Sequence, residues 1–197
     1  MASVSPHTPK GGDGFLLGKL LIALPGMPDP RFEKSVIFMC AHSDQGAVGL
    51  IVNRPIEGLS FRELVENLDL RVTDTAPDLP ILFGGPVGSR QGFVLHTSEY
   101  AGNEATMPVT PEISLTATVE ILRAIAQGQG PEKSLFALGY AGWGPGQIEN
   151  ELLSNGWIHC DADKAIIFEM DCGAKWRAAL GTLGADVSGL SAEMGRA

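Results

Sequence analysis

The sequence predicts an α+β fold. Three observations carry the expectation: apolar, strand-like runs cluster and are joined by short turns, helical periodicity appears only between those clusters, and no regular strand–helix–strand alternation runs along the chain. At 197 residues, 44% hydrophobic and 19% charged, the chain has the size of one domain and can bury a proper core. Residues 1–14 ("MASVSPHTPKGGDG") hold no apolar run and read as a flexible tail, not a secretion signal. A single domain is expected over 15–187, followed by a small-residue tail over 188–197.

The elements follow in order. "KLLIAL" (19–24) and "SVIFMCAH" (35–42) are aliphatic runs bounded by turn residues, and they predict buried strands. Between them the three prolines of "PGMPDPRFEK" force a loop or a single helical turn. Ser43 to Gly46 form a hairpin turn into "AVGLIVN", so three successive strands make an antiparallel meander. Ser60 and Glu63 have capping-box spacing and start the helix "FRELVENL". After the polar linker "RVTDTAPDLP", "ILF", "GGPVGSRQG" and "FVLH" read as strand, glycine-rich turn and strand. Glu99 to Pro111 are expected as loop or a short edge strand.

"ISLTATVEILRAIAQGQG" begins as a strand and becomes a helix with Val119, Leu122, Ile125 and Ala126 on one face, stopped at Gly128. "SLFALGY" is a further strand, and it runs into "AGWGPGQIENELLSNGW". There Pro145 suits the first turn of a helix whose stripe is Ile148, Leu152 and Leu153, with Asn155-Gly156 as its stop. "WIHC" and "AIIFE" are expected to pair as a hairpin around "DADK", and "AKWRAALGTLG" as a last amphipathic helix.

The net charge of −9 comes from 23 acidic against 14 basic residues, with no run of Lys or Arg. Such a field opposes binding to the DNA backbone or to an anionic membrane surface. The apolar stretch "FLLGKLLIAL" is too short to span a bilayer and contains Lys19. Cys40, Cys160 and Cys172 are odd in number and widely spaced, which excludes a disulfide framework and points to reducing cytosol.

The chain has no G-x-S-x-G, no G-x-x-x-x-G-K-[ST], no H-E-x-x-H and no G-x-G-x-x-G. The best catalytic candidate is Cys40-Ala41-His42-Ser43-Asp44, because residues two apart on a strand share a face and could align a thiol with an imidazole and a carboxylate. Asp44 falls in the hairpin turn, and free cysteine is most often an inert core residue, so the core reading of Cys40 is preferred. A metal would need Cys40, His42, His96, His159 and Cys160 to converge; no spacing matches a structural zinc pattern, so neither metal nor cofactor is expected. "FGGPVGSR" is either a turn needing positive φ or an anion nest with Arg90 beside it. In "GYAGWGPGQ", four glycines and Pro145 surround Tyr140 and Trp143, which could form a stacking wall beside a helix N-terminus.

Together "GAVGLIVNRP", "FGGPV" with "GFVLH", "LGYAGWGPGQIENEL", and the closing "W" and "LG" resemble the YqgE/AlgH family of bacterial proteins, in order and spacing from about Gly18 to Asp186. The resemblance implies an α+β fold with a curved, mostly antiparallel, barrel-like sheet flanked by helices. It supplies no catalytic residues. Some members carry a transcriptional-regulator label, but no basic recognition helix is visible here. The motif positions it implies are Asn53, Arg54, Gly84, Gly85, Pro86, His96, Tyr140, Gly142, Trp143, Gln147 and Glu149.

The expectation is therefore a cytosolic, non-enzymatic binding or regulatory protein with a protein or small-molecule partner. Its working surface joins Asn53-Arg54, the Gly84-Gly85 turn and the Trp143 loop, with Arg90, His96, Tyr140 and Glu149 extending it. Arg54 and Gln147 are expected to contact the partner, since neither shows a structural duty in the sequence. The rivals are a thiol-dependent or hydrolytic enzyme using Cys40 and His42, and a direct DNA-binding regulator.

Overall fold

A computed structural model describes residues 15–100, 105–154 and 156–184. The tails expected at 1–14 and 188–197 lie outside the described residues, as does Asn155. Strands β1 (Lys19–Ala23), β2 (Val36–Ser43) and β3 (Gly46–Ile51) form the expected antiparallel meander. They are followed by β4 (Pro55–Ser60), α1 (Phe61–Asn67), β5 (Pro80–Phe83), β6 (Val87–Thr97), β7 (Thr106–Pro108) and β8 (Ile113–Thr116). The rest are α2 (Val119–Ala126), β9 (Ser134–Trp143), α3 (Gln147–Leu153), β10 (Trp157–Asp161) and α4 (Cys172–Gly181). The main path of the sheet runs β10-β1-β2-β3-β9-β6-β8-β7, and apart from the parallel β5–β9 pair its ladders are antiparallel.

Curling the sheet creates two faces that both need cover, and the strand sequences are apolar on both. Leu20 and Ile22 face an inner core with Val36, Phe38 and Leu50, whereas Leu21 and Ala23 face an outer cluster with Ile37 and Met39. That two-sided burial is why "KLLIA" and "VIFMC" are continuous apolar runs without a polar alternation. The inner core is plugged by α4 through Trp176, Ala179 and Leu180 and by Ile166 and Ile167. The outer face is covered in two patches, one by α3 through Ile148 and one by α1 and α2 through Phe61, Val65, Ile121 and Ile125. Ser60 and Glu63 form the expected capping box of α1.

Strand β9 is the seam of the sheet. Its residues 136–138 pair with β5 on one side and its residues 134–138 with β6 on the other, so the Gly84-Gly85-Pro86 link must pass across β9. It passes in backbone contact. A Cβ on Gly85, whose φ is 152°, would lie 2.1 Å from the Tyr140 carbonyl carbon, and one on Gly139 would lie 2.4 Å from the Gly85 oxygen. Glycine is required on both sides of this crossing. The long glycine-rich turn expected over 84–92 is thus three residues of crossing, after which the chain is already in strand at Val87.

Three further expectations are corrected. "AIIFE" does not pair with "WIHC": β10 pairs with β1, and 165–169 form a π-helical turn, because Ile166 and Ile167 both have to reach the inner core. "PIEGLS" after Arg54, to which the sequence assigned no element, is a strand, β4, on the free side of β5. Pro145 precedes α3 instead of sitting in its first turn; the N-cap is Gly146 at φ 71°. In α3, Ile148 is fully buried and Leu152 packs against the outer cluster, but Leu153 is 82% exposed. One feature of α4 had no signal in the sequence. Lys175 is buried inside it, its ammonium donating to the carbonyls of Val52 and Ile167, and desolvation pulls it below the usual lysine range.

The crossing yields a stability test. Gly85→Ala is expected to cost about 3 kcal/mol or more, because the new methyl has only backbone to displace. Gly58→Ala in β4, where φ is also positive but no atom lies within 4 Å, is expected to cost about 1 kcal/mol. Urea unfolding monitored by circular dichroism separates them, and equal costs would contradict the backbone contact.

Candidate functional site

The "GYAGWGPGQIENEL" stretch becomes the end of β9, a tight link, and α3. At the link Gln147 folds back and its side-chain oxygen accepts from the Gly144 amide at 3.0 Å. Its amide nitrogen donates to Glu151 Oε1 at 2.8 Å, one helical turn on. Glu151 Oε2 accepts from two indoles at once, Trp143 Nε1 at 3.0 Å and Trp157 Nε1 at 2.8 Å. The rings meet edge to face, with centroids 6.1 Å apart. One carboxylate therefore fixes two tryptophans from separate strands.

This clamp forms one wall of a cleft of about 470 Å³. The opposite wall is the proline-rich loop after β1, contributing Met27, Asp29, Arg31 and Phe32, and the rim is Pro86 and Val87 beyond the crossing. The loop holds its shape through a 3-10 turn, Pro30–Phe32, capped by Asp29, which also pairs with the Arg31 guanidinium at 2.7 Å. Arg54 ties the loop down by donating to the carbonyls of Arg31 and Glu33. Asn53 fixes its exit, accepting from the Val36 amide at 2.8 Å and donating to the Lys34 carbonyl at 2.9 Å.

Of the three motif clusters expected to share a surface, only the Trp143 loop lines this cleft, with Pro86 at its rim, while Asn53 and Arg54 stand behind the 27–32 loop and hold it. The reason first given for Arg54 and Gln147 needs correcting, however: both have structural duties, as do Asn53 and the glycines. Gly84 uses its amide on the Leu138 carbonyl at 2.8 Å, so it is not free for an anion nest. Tyr140 lies outside the cleft wall. Three residues before Trp143 on a strand, it takes the opposite face and packs on Phe93, with ring centroids 5.9 Å apart. Glu149 is turned away from Gln147 and Glu151 on α3 and bonds His42 Nε2 at 2.8 Å. Arg90 is exposed at the rim of a separate hollow beside Leu64, Leu68 and Leu138.

His96 pairs with Ser134, at the other end of β9 from Trp143, about 30 Å away at the usual rise per residue. It is fully buried, with Nδ1 donating to the Thr97 carbonyl and Nε2 accepting from the Thr116 hydroxyl at 2.9 Å. Burial pulls its pKa below the ordinary histidine range.

The catalytic alignment of Cys40 and His42 does not form. A β-bulge between Met39 and Ala41 slips the alternation by one residue, so Cys40 faces the inner core while His42 joins Leu16 and Glu149 on the outer side. Burial pushes the Cys40 thiol up to about 12. The Leu16 amide donates to His42 Nδ1 at 2.9 Å, which leaves the ring proton on Nε2 and engages both nitrogens. Among the described residues, no group of three or more His, Cys, Asp or Glu side chains is placed to hold a metal ion, and no helix is long and apolar enough to cross a membrane.

Cleft residues absent from the expected surface include Glu151, Trp157, Met27, Asp29, Arg31 and Phe32. Glu151 had a local signal, since it follows Gln147 by four positions in a helix. Trp157 and the 27–32 loop had none, because the pairing of β1 with β10 is what brings them beside α3.

The architecture is that of a single-domain α+β protein built on a curled antiparallel half-barrel. The chain belongs to the AlgH-like family (DUF179), whose model matches residues 20–188. A UPF0301 protein of Rhodopseudomonas palustris strain HaA2 is 50% identical over 190 residues, covering 93% of this chain and 87% of the relative. A UPF0301 protein of Caulobacter vibrioides strain NA1000 is 50% identical over 184 residues, covering 93% and 94%. The solution structure of the AlgH protein from Pseudomonas aeruginosa superposes with a TM-score of 0.76 at 40% identity, over 96% of this chain and all of that one. A crystal structure from Corynebacterium diphtheriae, 16% identical with a TM-score of 0.70 over 88% and 90% of the two chains, shares the fold.

Two measurements follow from this geometry. Glu151→Ala leaves two indole N–H groups without an acceptor and is expected to lower stability by about 2–4 kcal/mol in urea unfolding, with Glu151→Gln losing less than half of that. With iodoacetamide at pH 8, Cys172, which is partly exposed, is expected to be alkylated well before Cys40. Mass-spectrometric mapping checks the order, and fast labelling of Cys40 would restore the thiol reading.

Proposed function

We propose that this protein is a non-enzymatic binding protein, and that the cleft between the 27–32 loop and the Trp143–Trp157 wall receives its partner. One observation carries this reading: Arg54, Asn53, Gln147 and Glu151, from distant parts of the chain, all use their hydrogen bonds to hold the two walls of this same cleft open and in shape. Polar groups arranged around an aromatic concavity are the usual build of a recognition site. The occupant is a small molecule or a side chain presented by another protein. A regulatory effect runs through that partner and not through DNA, because the net charge of −9 repels a phosphate backbone. The working compartment is the cytosol, where three unpaired thiols stay reduced.

The enzyme alternative loses support because Cys40 and His42 face opposite sides of the sheet. Trp143 is a poor probe of the cleft, since it is itself core. Ser154 is a better one: it lines the cleft, is exposed, and its hydroxyl donates to the Asn150 carbonyl of its own helix. A thermal-shift screen of metabolites and peptides on wild type and Ser154→Phe is the test. A ligand at a hundredfold its dissociation constant is expected to add about 2.7 kcal/mol to wild type and almost nothing to Ser154→Phe. Hits that stabilise both equally would place the binding site elsewhere.

A further inference from the structure

The charges around the cleft do not balance. Asp29 and Arg31 satisfy each other, with Arg31 Nε 3.0 Å from Oδ1 and its terminal nitrogen 2.7 Å from Oδ2, and Arg31 holds the Asp29 carboxyl below its usual range. The third charge is Glu151, which has no ion-pair partner among the described residues. Among the described residues, the donors to its carboxylate are neutral: two indoles on Oε2 and one amide on Oε1. A carboxylate offers about four acceptor positions, so one on Oε1 has no donor among the described residues. Met27, Phe32, Pro86 and Val87 make the remaining surface apolar. The long-range field of a chain at −9 adds in the same direction.

Resting on the reading of the cleft as the binding site, we infer that its occupant is an organic cation: an ammonium or guanidinium on an apolar stem, its charge on Glu151 Oε1 and its stem against Met27, Phe32, Pro86 and Val87. Its chemistry is the same whether it is a free amine or the Lys or Arg side chain of a protein partner. The volume of about 470 Å³ accommodates one such group and excludes a folded domain.

The three tryptophans supply the readout. In a proton–nitrogen correlation spectrum of the full chain, the indole signals of Trp143 and Trp157 report on the cleft. Trp176, which donates to the Ala23 carbonyl at 2.7 Å inside the core, is the reference. Titration with benzylamine, benzyl alcohol and benzoate varies charge at nearly constant shape. Benzylamine is expected to move both cleft signals and not Trp176, to bind about tenfold tighter than the alcohol, and to exceed benzoate by more. In Glu151→Gln the preference over the alcohol is expected to fall to about twofold or less. If the Trp176 signal shows that variant to be misfolded, salt replaces it: benzylamine binding to wild type is expected to weaken as salt rises, and alcohol binding to stay level. Nα-acetyl-arginine methylamide then separates the sources, since binding as tight as that of benzylamine favours a partner's side chain and weaker binding favours a free amine. Benzyl alcohol or benzoate binding as tightly as benzylamine overturns the cation inference and leaves the cleft standing. If no probe moves either cleft signal, both readings fall.

Discussion

The contact on which the rest of the structure depends is the crossing of two backbones at Gly84-Gly85 and Gly139. Sheets do not ordinarily let a connection pass over one of their own strands at van der Waals distance, because the Cβ atoms on both sides forbid it. Removing those Cβ atoms lets β5 and β6 lie on opposite sides of β9 with a link of only three residues. Everything on the outer face follows from that compactness. Pro86 emerges beside the end of β9, so the cleft acquires a rim, and β9 is left free beyond Gly139 to pair with β3 and carry Trp143 to α3.

Much of this fold was legible because its signals are local. The meander β1–β2–β3 shows in aliphatic runs with short turns, and the capping box of α1 in two residues at fixed spacing. Where expectation failed, a long-range demand had overridden a local pattern. "AIIFE" carries strand composition, but the inner core needed two adjacent isoleucines on one side, which a π-helical turn provides and a strand does not. The bulge at Cys40 is a decision of β2 and β3 together and has no mark in either strand's own sequence.

The candidate site shows the same division. The motifs around Asn53, Gly84 and Trp143 were visible; of these the Trp143 loop lines the cleft, with Pro86 at its rim, and Asn53 and Arg54 brace the loop opposite. What each residue does there was not visible, since a side chain's duty depends on its acceptor. Arg54 serves carbonyls more than twenty positions earlier, and Glu151 serves an indole on a strand whose place is set by pairing with β1. At Tyr140 the sequence already held the answer: a spacing of three on a strand puts it on the opposite face from Trp143.

The inner plug has a bearing on how this chain assembles. Trp176 of α4 bonds to the carbonyl of Ala23, 153 positions earlier, and β10 pairs with β1 across almost the same span. Loops of that length close late, so the hollow side of the first strands stays uncovered until nearly all of the domain has been synthesised. During translation those strands expose Leu20, Ile22, Val36 and Phe38 to the surroundings with no partner of their own to cover them. Nascent chains of this protein thus carry an apolar concave surface for most of the domain's synthesis, open to contact with neighbouring chains.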